Sequence, residues 1–255
     1  MPVGNKKSDA LVSYEAQFAE AAKASADQVA SLGGSQFFSI KGGKIKLGDS
    51  TPVSDICVVV LDYVFENAFY TEAYDANNPA GPDCYAFGRK LDEMVPHEAC
   101  EGKVSDACKG CPNNEWGSAS RGKGKACKNK IRLALLPAGM FEDGRFEAIS
   151  DVADIEGASV AYLSIPPTSA NGFGAYVKSL NDIKHLPPFA VFTKVHVEPD
   201  DKVQVRVSFE LLGPCPASFA KTLIARNATQ KEEEIQPYAK REEKPVKTSN
   251  KKRRF

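Results

Sequence analysis

Five of the seven cysteines lie close together in the middle of the chain, at positions 84, 100, 108, 111 and 127. Cys108 and Cys111 form a Cys-x-x-Cys knuckle, and Gly110 between them lets the backbone turn around the two sulfurs. Tetrahedral zinc takes four cysteine or histidine ligands, and a structural site needs a second pair beside such a knuckle. The spacing therefore predicts a structural metal site that Cys127 and one further residue complete.

The fourth metal ligand is open between three residues. Cys84 is favoured, because Cys84 and Cys127 lie where β-rich sequence ends and resumes, so a shared ion would close the intervening insertion at its base. Cys100 and His97 are the alternatives. Zinc is the favoured metal, although an iron–sulfur cluster uses the same number of cysteines. The predicted ligands are Cys84, Cys108, Cys111 and Cys127, and the predicted cofactor is structural Zn2+.

Other cysteine chemistry is less favoured. A thioredoxin-like Cys-x-x-Cys needs a strand before it and a helix after it, and the sequence around Cys108 offers neither. Cys57 lies in an apolar run and is expected to be a buried hydrophobic side chain. Cys215 stands between two prolines with no visible partner. The N-terminus lacks the apolar core of a secretory signal, so we expect a cytoplasmic protein with reduced thiols.

A basic, glycine-rich segment over residues 113–127, named the basic loop here, follows the knuckle. Residues 116–141 contain no acidic side chain, although the whole chain has 33 basic and 33 acidic residues. Lysines on an exposed backbone suit phosphate contacts, and aromatic rings beside them suit stacking with the bases of a single strand. The simpler alternatives are that Trp116 packs over the knuckle and that the lysines are only solvated. The predicted nucleic-acid-binding residues are Tyr85, Phe87, Trp116, Arg121, Lys123, Lys125, Lys128, Lys130 and Arg132.

The sequence lacks the motifs of common enzyme sites. It contains no HExxH, GxSxG or GxGxxG pattern, and none of the three histidines has the neighbours of a catalytic triad. We therefore expect a protein that is not an enzyme. A metal-dependent nuclease that uses Asp62, Glu66 and Asp75 is a less favoured alternative, and a zinc-stabilised protein-interaction module is another. No apolar run approaches the roughly 20 residues that cross a bilayer, so no membrane partner is expected.

Hydrophobic periodicity predicts helices around and within a β-rich chain. The predicted helices are 8–31, 169–180 and one that follows Pro216. The predicted strands are 36–40, 44–47, 55–66, 67–73, 131–136, 158–165, 189–197 and 202–211. Residues 75–129 show little periodicity, and a stretch of that length inside a compact domain needs something else, here the metal, to hold it.

These elements predict an α+β fold. Its architecture is an OB-like antiparallel β-barrel or sheet of about five or six strands, with flanking helices and an inserted four-cysteine zinc subdomain. The predicted domains are an N-terminal helix over 1–34, an OB-like core over 35–228 with the zinc-binding insertion at about 75–129, and a disordered charged tail over 229–255. The tail is predicted to be disordered because Lys, Glu, Pro and Ser dominate it.

The segments CKGCPNNEWGS and SRGKGKACKNKIRLALL resemble a group of uncharacterised bacteriophage and prophage proteins, which carry C-x2-C-P-x-N-x-[WF]-G-S followed by G-K-G-K-A-C. Those proteins are similar in a cysteine near the position of Cys84 and in a later Pro-Pro, helix, Pro-Pro-Phe segment like 166–189. The resemblance covers about residues 55–212. It implies a role in phage DNA metabolism, in the cytoplasm of a bacterial host cell.

A looser resemblance is to the helix-destabilising proteins of T-even phages, in which a zinc subdomain interrupts an OB-fold that binds single-stranded DNA. It implies a single-stranded DNA-binding protein of phage-type DNA replication or recombination, with replication or recombination proteins as further partners. The cysteine spacing departs from that pattern. The C-terminal tail also ends in a basic block, 251–254, where many single-strand binders end acidic, so a partner-recruiting role of the tail is not implied.

Overall fold

The computed structural model describes residues 37–72, 81–230 and 238. The predicted helix 8–31 lies outside these residues, and so does most of the predicted tail. The strands of the described chain are β1 (Phe38–Lys41), β2 (Lys44–Leu47), β3 (Asp55–Phe69), β4 (Cys84–Gly88), β5 (Lys128–Glu142), β6 (Arg145–Ala148), β7 (Ala161–Ile165), β8 (Val191–Asp200) and β9 (Gln204–Pro214). The α-helices are α1 (Val152–Gly157), α2 (Pro167–Ser179) and α3 (Ala220–Thr229). Among the described residues, no helix has the length and apolar character needed to span a bilayer.

Seven strands form one antiparallel sheet, which curls into a half-barrel. Its order is β6-β5-β3-β8-β9, with β4 paired to the end of β3 and β7 paired to β5. β1 and β2 form a separate hairpin. The register of β3 against β5 shifts twice, at Cys57/Val58 and at Val60/Asp62. Irregularities of this β-bulge type bend a strand and increase its twist, which helps the sheet to curl.

β3 is buried on both faces, which explains its unbroken apolar run. One core joins Val58 to Phe173 of α2. The opposite core joins Val59 to Leu223 of α3. Because both faces are covered at this point, the strand lacks the alternation of polar and apolar residues that a half-exposed strand has.

The predicted α+β class and the antiparallel sheet are confirmed, and the predicted hairpin of 189–197 and 202–211 is present as β8 and β9. The sheet has seven strands rather than five or six. The reason is that β4 lies inside the segment predicted to be irregular, while the four residues of β6 are too few for a periodic signal. The predicted separate strand 67–73 is wrong, because β3 continues through Phe69 without a turn. The six-residue α1, which Asp151 caps through the Ala153 N–H, was not predicted.

The end of β3 lies between β4 and the start of β5, and this arrangement positions the candidate site. Phe69 is paired with Cys84 on one side, and Ala68 is paired with Lys128 on the other. Because side chains alternate along a strand, Phe69 points to one face, whereas Glu66 and Ala68 point to the other. The two faces of this three-stranded segment carry two different groups of the predicted site residues.

Candidate metal site and nucleic-acid interface

Four cysteines surround a small cavity of about 20 Å³ beside the end of β3. Cys84 begins β4, Cys127 directly precedes β5, and Cys108 and Cys111 come from the loop between those strands. A cavity of this volume takes a single water-sized particle or a single ion. The structure thus brings the four predicted ligands around one space.

Turns and hydrogen bonds hold the knuckle. The Cys108 N–H donates to the Met94 carbonyl at 3.0 Å, and the Asn114 side-chain amide donates to the Cys108 carbonyl at 2.8 Å. Gly110 has a φ of +75°, a left-handed conformation that glycine adopts without strain. The Cys-x-x-Cys turn is therefore fixed by its own backbone and by Asn114.

Cys100, predicted to be spare, lies at the edge of the same cluster. Its side chain is buried, and its sulfur accepts the Tyr85 N–H at 3.1 Å. Cys100 also lies near Cys84, because it helps to raise the pKa of the Cys84 thiol, so Cys100 stays open as an alternative ligand. His97 is engaged elsewhere, because its Nδ1 contacts the Tyr85 hydroxyl at 3.0 Å and its ring stacks on Tyr85 with 4.9 Å between centroids.

Three cysteines of this cluster, Cys84, Cys108 and Cys127, have raised pKa values, which favour the neutral thiol. Burial, followed by repulsion from the neighbouring cysteines, raises the pKa of Cys84 and of Cys127 to about 12. A divalent cation would reverse this preference, because coordinated thiols lose their protons. Among the described residues, no group of three or more His, Cys, Asp or Glu side chains is arranged so that it could hold a metal ion. The cavity thus has the donor chemistry for zinc, but its sulfurs are not drawn together into a ligand set.

The two other cysteines lie apart from the cavity. Cys57 is buried, as predicted, and Cys215 lies near it. Burial raises the pKa of both thiols to about 12. They are apolar packing groups in the core formed with α1 and α3.

Trp116, the single tryptophan of the chain, stands in solvent on the basic loop. Its side chain is 79% exposed, so the alternative that it packs over the knuckle is wrong. Lys125 Nζ lies 5.6 Å from the centre of its ring, within the range of a cation–π contact. The side chains of Arg121 and Lys123 are exposed in the same loop. A ring face and several cations are therefore accessible to a ligand from solvent.

The basic loop folds back on itself and is tied to the knuckle. The Gly117 N–H donates to the Gly124 carbonyl at 3.0 Å, so the chain reverses direction after Trp116. The Cys127 N–H donates to the Asn113 carbonyl at 2.7 Å, which joins the end of the loop to its beginning. The loop and the cysteine cavity therefore share one framework, and a change that loosens the knuckle also displaces Trp116.

The remaining predicted DNA contacts share the opposite face of the strand segment. In the sheet register, Glu66 of β3 lies between Phe87 of β4 and Lys130 of β5. Along β5 the exposure falls from Lys128, which lies in solvent, to Arg132, which is 2% exposed. The residues of this face are Tyr85, Phe87, Lys128, Lys130 and Arg132.

Arg132 and Glu66 form a buried ion pair at the inner end of this face. Arg132 Nε lies 2.9 Å from Glu66 Oε2. The Ser164 hydroxyl donates to the same oxygen at 2.8 Å, and the Tyr238 hydroxyl donates to Oε1. Burial alone would raise the pKa of Glu66, but Arg132, Lys130 and Tyr238 together hold that pKa below its ordinary value. The carboxylate is therefore charged and fully engaged.

Arg132 does not lie where the prediction expects a phosphate contact. Three rings cover its guanidinium, with Cζ 4.5 Å from the ring centre of Phe87, 5.0 Å from that of Tyr238 and 5.1 Å from that of Phe37. The sequence cannot reveal this burial, because the partner of Arg132 is set by the register of two strands that are 66 residues apart. Tyr238 was also missed. Its only signal in the sequence is that it is the one aromatic residue within the charged segment 231–247.

The carboxylates of the alternative nuclease are held by arginines. Asp62 accepts hydrogen bonds from both terminal nitrogens of Arg89, at 2.9 and 2.5 Å, and Glu66 is paired with Arg132. Asp75 lies outside the described residues. The two described carboxylates are thus engaged in separate ion pairs rather than gathered around a common centre.

Compared with protein-family models, with curated proteins and with solved structures, the chain has no match. The resemblance to phage proteins that the cysteine motif carries therefore stays a prediction. A functional proposal rests on the geometry of the site.

Proposed function

We propose that this protein binds single-stranded DNA in phage-type replication or recombination, and that structural zinc bound by the cysteines holds the basic loop against the sheet. The observation that carries the proposal is the exposure of Trp116, whose side chain is 79% accessible beside Lys125. Stacking of a base on such a ring contributes about 1–3 kcal/mol. Single strands are the favoured ligand, because their unpaired bases can reach the ring.

The charge around Trp116 supports the same ligand. Arg121, Lys123 and Lys128 are exposed, and residues 116–141 contain no acidic side chain. Exposed cations of this kind bind phosphates and release the counterions of the nucleic acid. Trp116, Arg121 and Lys123 lie within the basic loop and Lys128 directly follows it at the start of β5, so a strand can contact the ring and the cations at once.

The architecture also supports the proposal. The curled antiparallel half-barrel is compatible with an OB-like fold, an architecture that binds single strands with a sheet face and its adjoining loops. The basic loop directly precedes β5. It therefore lies at the end of an interior strand of the sheet, where loops of OB-like folds contact single strands.

Zinc is supported by the donor chemistry of the cavity. Cys84, Cys108, Cys111 and Cys127 line one space of about 20 Å³, and four thiolates are the donor set that structural zinc prefers. When bound, the ion would supply a cross-link between β4, the knuckle and the start of β5. Its role is to stabilise the base of the basic loop, with Cys100 as an alternative fourth ligand.

Titration of fluorescein-labelled oligothymidylate, followed by anisotropy at 50 and 200 mM salt, tests DNA binding. With about four phosphates contacted, we expect the affinity to fall about 50-fold between these salt concentrations, since each contact to a single strand contributes about −0.7 to the logarithmic salt slope. A duplex of equal length should bind more weakly. Absence of salt-sensitive binding to the single strand would overturn the proposal.

A matched pair of charge reversals tests the location of the binding site. Lys123→Glu places a negative charge in the basic loop, and Lys202→Glu places one at an exposed position of the β8–β9 turn. Both change the net charge by the same amount, so a purely global effect would weaken binding equally. We expect a clear loss of affinity for Lys123→Glu alone, and equal losses would argue against the loop as the interface.

Elemental analysis of the purified protein tests the metal. We expect about one zinc per chain, lost in Cys108→Ser and retained in the control Cys215→Ser, whose thiol lies outside the cavity. Comparison of Cys84→Ser with Cys100→Ser identifies the fourth ligand, because only the true ligand variant loses the ion. Stoichiometric iron in place of zinc, or full zinc in Cys108→Ser, would contradict the proposed site.

A further inference from the structure

Tyr238 fills an aromatic slot, which is the space between Tyr85, Phe87, Arg132 and Glu66. Its ring lies 5.2 Å from that of Tyr85 and is stacked near-parallel on that of Phe87, at 26° and 6.2 Å. Arg132 Cζ lies 5.0 Å from the centre of the Tyr238 ring, and the hydroxyl donates to Glu66 Oε1. The slot thus contacts the faces of a planar ring. It also offers one acceptor, Glu66 Oε1, to a polar group at the edge of that ring.

The lining of the aromatic slot has the chemistry that binds a nucleobase. Aromatic rings and an arginine plane stack on any base, and a carboxylate accepts a hydrogen bond from a base amino or imino group. Lys128 and Lys130 occupy alternate positions of β5 on the same face. A strand whose phosphates follow these two lysines would bring a base to the slot.

The sequence directly before Tyr238 includes a run of negative charge, which a nucleic acid strand also carries. Three consecutive acids, Glu232, Glu233 and Glu234, come shortly before the tyrosine in the sequence. In the sequence the ring thus follows clustered negative charges, and a base with its neighbouring phosphates also combines a planar ring with negative charges. The Tyr238 ring and a base are therefore complementary to the same aromatic slot.

We propose that the aromatic slot is a nucleobase-binding site, which Tyr238 occupies in the absence of DNA and yields to a base of the bound strand. This inference rests on the proposed single-strand binding. The apparent association constant for DNA then equals the intrinsic constant multiplied by the fraction of molecules in which the slot is open. Removal of the tyrosine ring removes the competitor and raises that fraction.

Tyr238→Ala and Tyr238→Phe, measured with oligothymidylate and with an abasic oligonucleotide of equal length, test the slot. Thymine offers an imino N–H to Glu66, whereas the abasic strand has phosphates but no rings. We expect Tyr238→Ala to bind oligothymidylate about tenfold more tightly, since the competing ring is gone, and Tyr238→Phe to gain less because it keeps the ring. Neither variant should gain affinity for the abasic strand, and Phe87→Ala should abolish the gain of Tyr238→Ala. An equal gain for both strands, or no gain, would overturn the slot.

Limited chymotryptic cleavage after Tyr238 in the unaltered protein gives a second measurement that needs no variant. Displacement of the ring by a base should accelerate this cleavage several-fold on addition of oligothymidylate, but not of the abasic strand. A cleavage rate unchanged by saturating oligothymidylate would overturn the slot.

The two proposals fail in different ways. If neither the unaltered protein nor Tyr238→Ala binds any oligonucleotide, the proposed function fails and the slot fails with it. If the unaltered protein binds with the expected salt dependence while Tyr238→Ala shows no gain, only the slot fails.

Discussion

Two regions of this protein combine aromatic rings with cations, and they differ in what neutralises the charge. In the aromatic slot, Arg132 is 2% exposed, covered by rings and paired with Glu66. In the basic loop, Lys125 lies against Trp116 in a segment that has no acidic residue from 116 to 141. The charge of Arg132 is neutralised within the fold. Lys125 belongs to a cationic surface, and an anionic ligand can neutralise the charge of that surface.

The difference separates a cation that stabilises the fold from cations that remain available to a ligand. A charge taken out of water needs a partner of opposite charge and good hydrogen bonds, and Arg132 has both. An exposed cation needs neither, and its contribution to stability is small. The ring and cation at Arg132 therefore belong to the interior of the fold, whereas Trp116 and the half-buried Lys125 beside it lie at a surface that a ligand can reach.

The largest expected effect follows from removal of the buried charge at Glu66. Glu66→Gln keeps the shape of the side chain but removes the carboxylate charge that pairs with Arg132, and breaking a buried pair costs about 3–5 kcal/mol. Denaturant unfolding should show this loss in the free energy of unfolding. Lys123→Glu, a charge change in the exposed loop, is the control and should stay within about 0.5 kcal/mol. Equal stability of the two variants would remove the distinction between the regions.

A smaller effect is expected for the exposed ring of the basic loop. Trp116→Ala should weaken binding of a single strand by about 1–3 kcal/mol, the contribution of one stacked base. Because the side chain is 79% exposed, its removal should leave the free energy of unfolding unchanged within about 0.5 kcal/mol. Anisotropy titration and denaturant unfolding of the same preparation measure both quantities. A large loss of stability would place Trp116 with the structural residues instead.

A fall in pH should reduce the contribution of the aromatic slot to the free energy of unfolding, but not that of the basic loop. The pKa of Glu66 is lowered below its ordinary 4.5 in the folded protein, so its contribution to stability is complete above about pH 4.5 and is lost as the pH falls below that value. The difference in unfolding free energy between the unaltered protein and Glu66→Gln should therefore shrink over this acidic range. A difference that stays constant down to low pH would contradict the charged state of Glu66.

The smallest expected effect concerns a single exposed cation. Lys128→Gln should lower the magnitude of the salt slope of single-strand binding by about 0.7, the contribution of one phosphate contact. Lys202→Gln, in the β8–β9 turn, should leave the slope unchanged. An unchanged slope for Lys128→Gln would restrict the phosphate contacts to the basic loop.

The sequence was sufficient to predict those elements whose residue pattern lies within a short stretch of the chain. The alternating strands β8 and β9, the helix α2 and the gathering of four cysteines around one space all follow from residues near one another in the chain or from anchors at strand ends. The five-residue β4 escaped prediction because it lies in a segment rich in Gly, Pro and Asn, where its pairing with β3 rather than its own pattern makes it a strand.

Contacts that depend on the register between strands could not be predicted from the sequence. The exposed lysines and the buried arginine of β5 look alike in the sequence, since Lys128, Lys130 and Arg132 follow one another at alternate positions. Only the register of β3 places Glu66 where it neutralises Arg132. The contact of Tyr238 with the same pair spans 172 residues from Glu66 and has no local signal.

The intrinsic fluorescence of Trp116 tests the central claim most directly. Because the chain has one tryptophan, its emission reports the basic loop alone. Titration of the unaltered protein with oligothymidylate at low salt should quench this emission in step with binding, and added salt should reverse the quenching. Binding without any change in the emission would contradict base stacking at Trp116, and absence of both would contradict the proposed function.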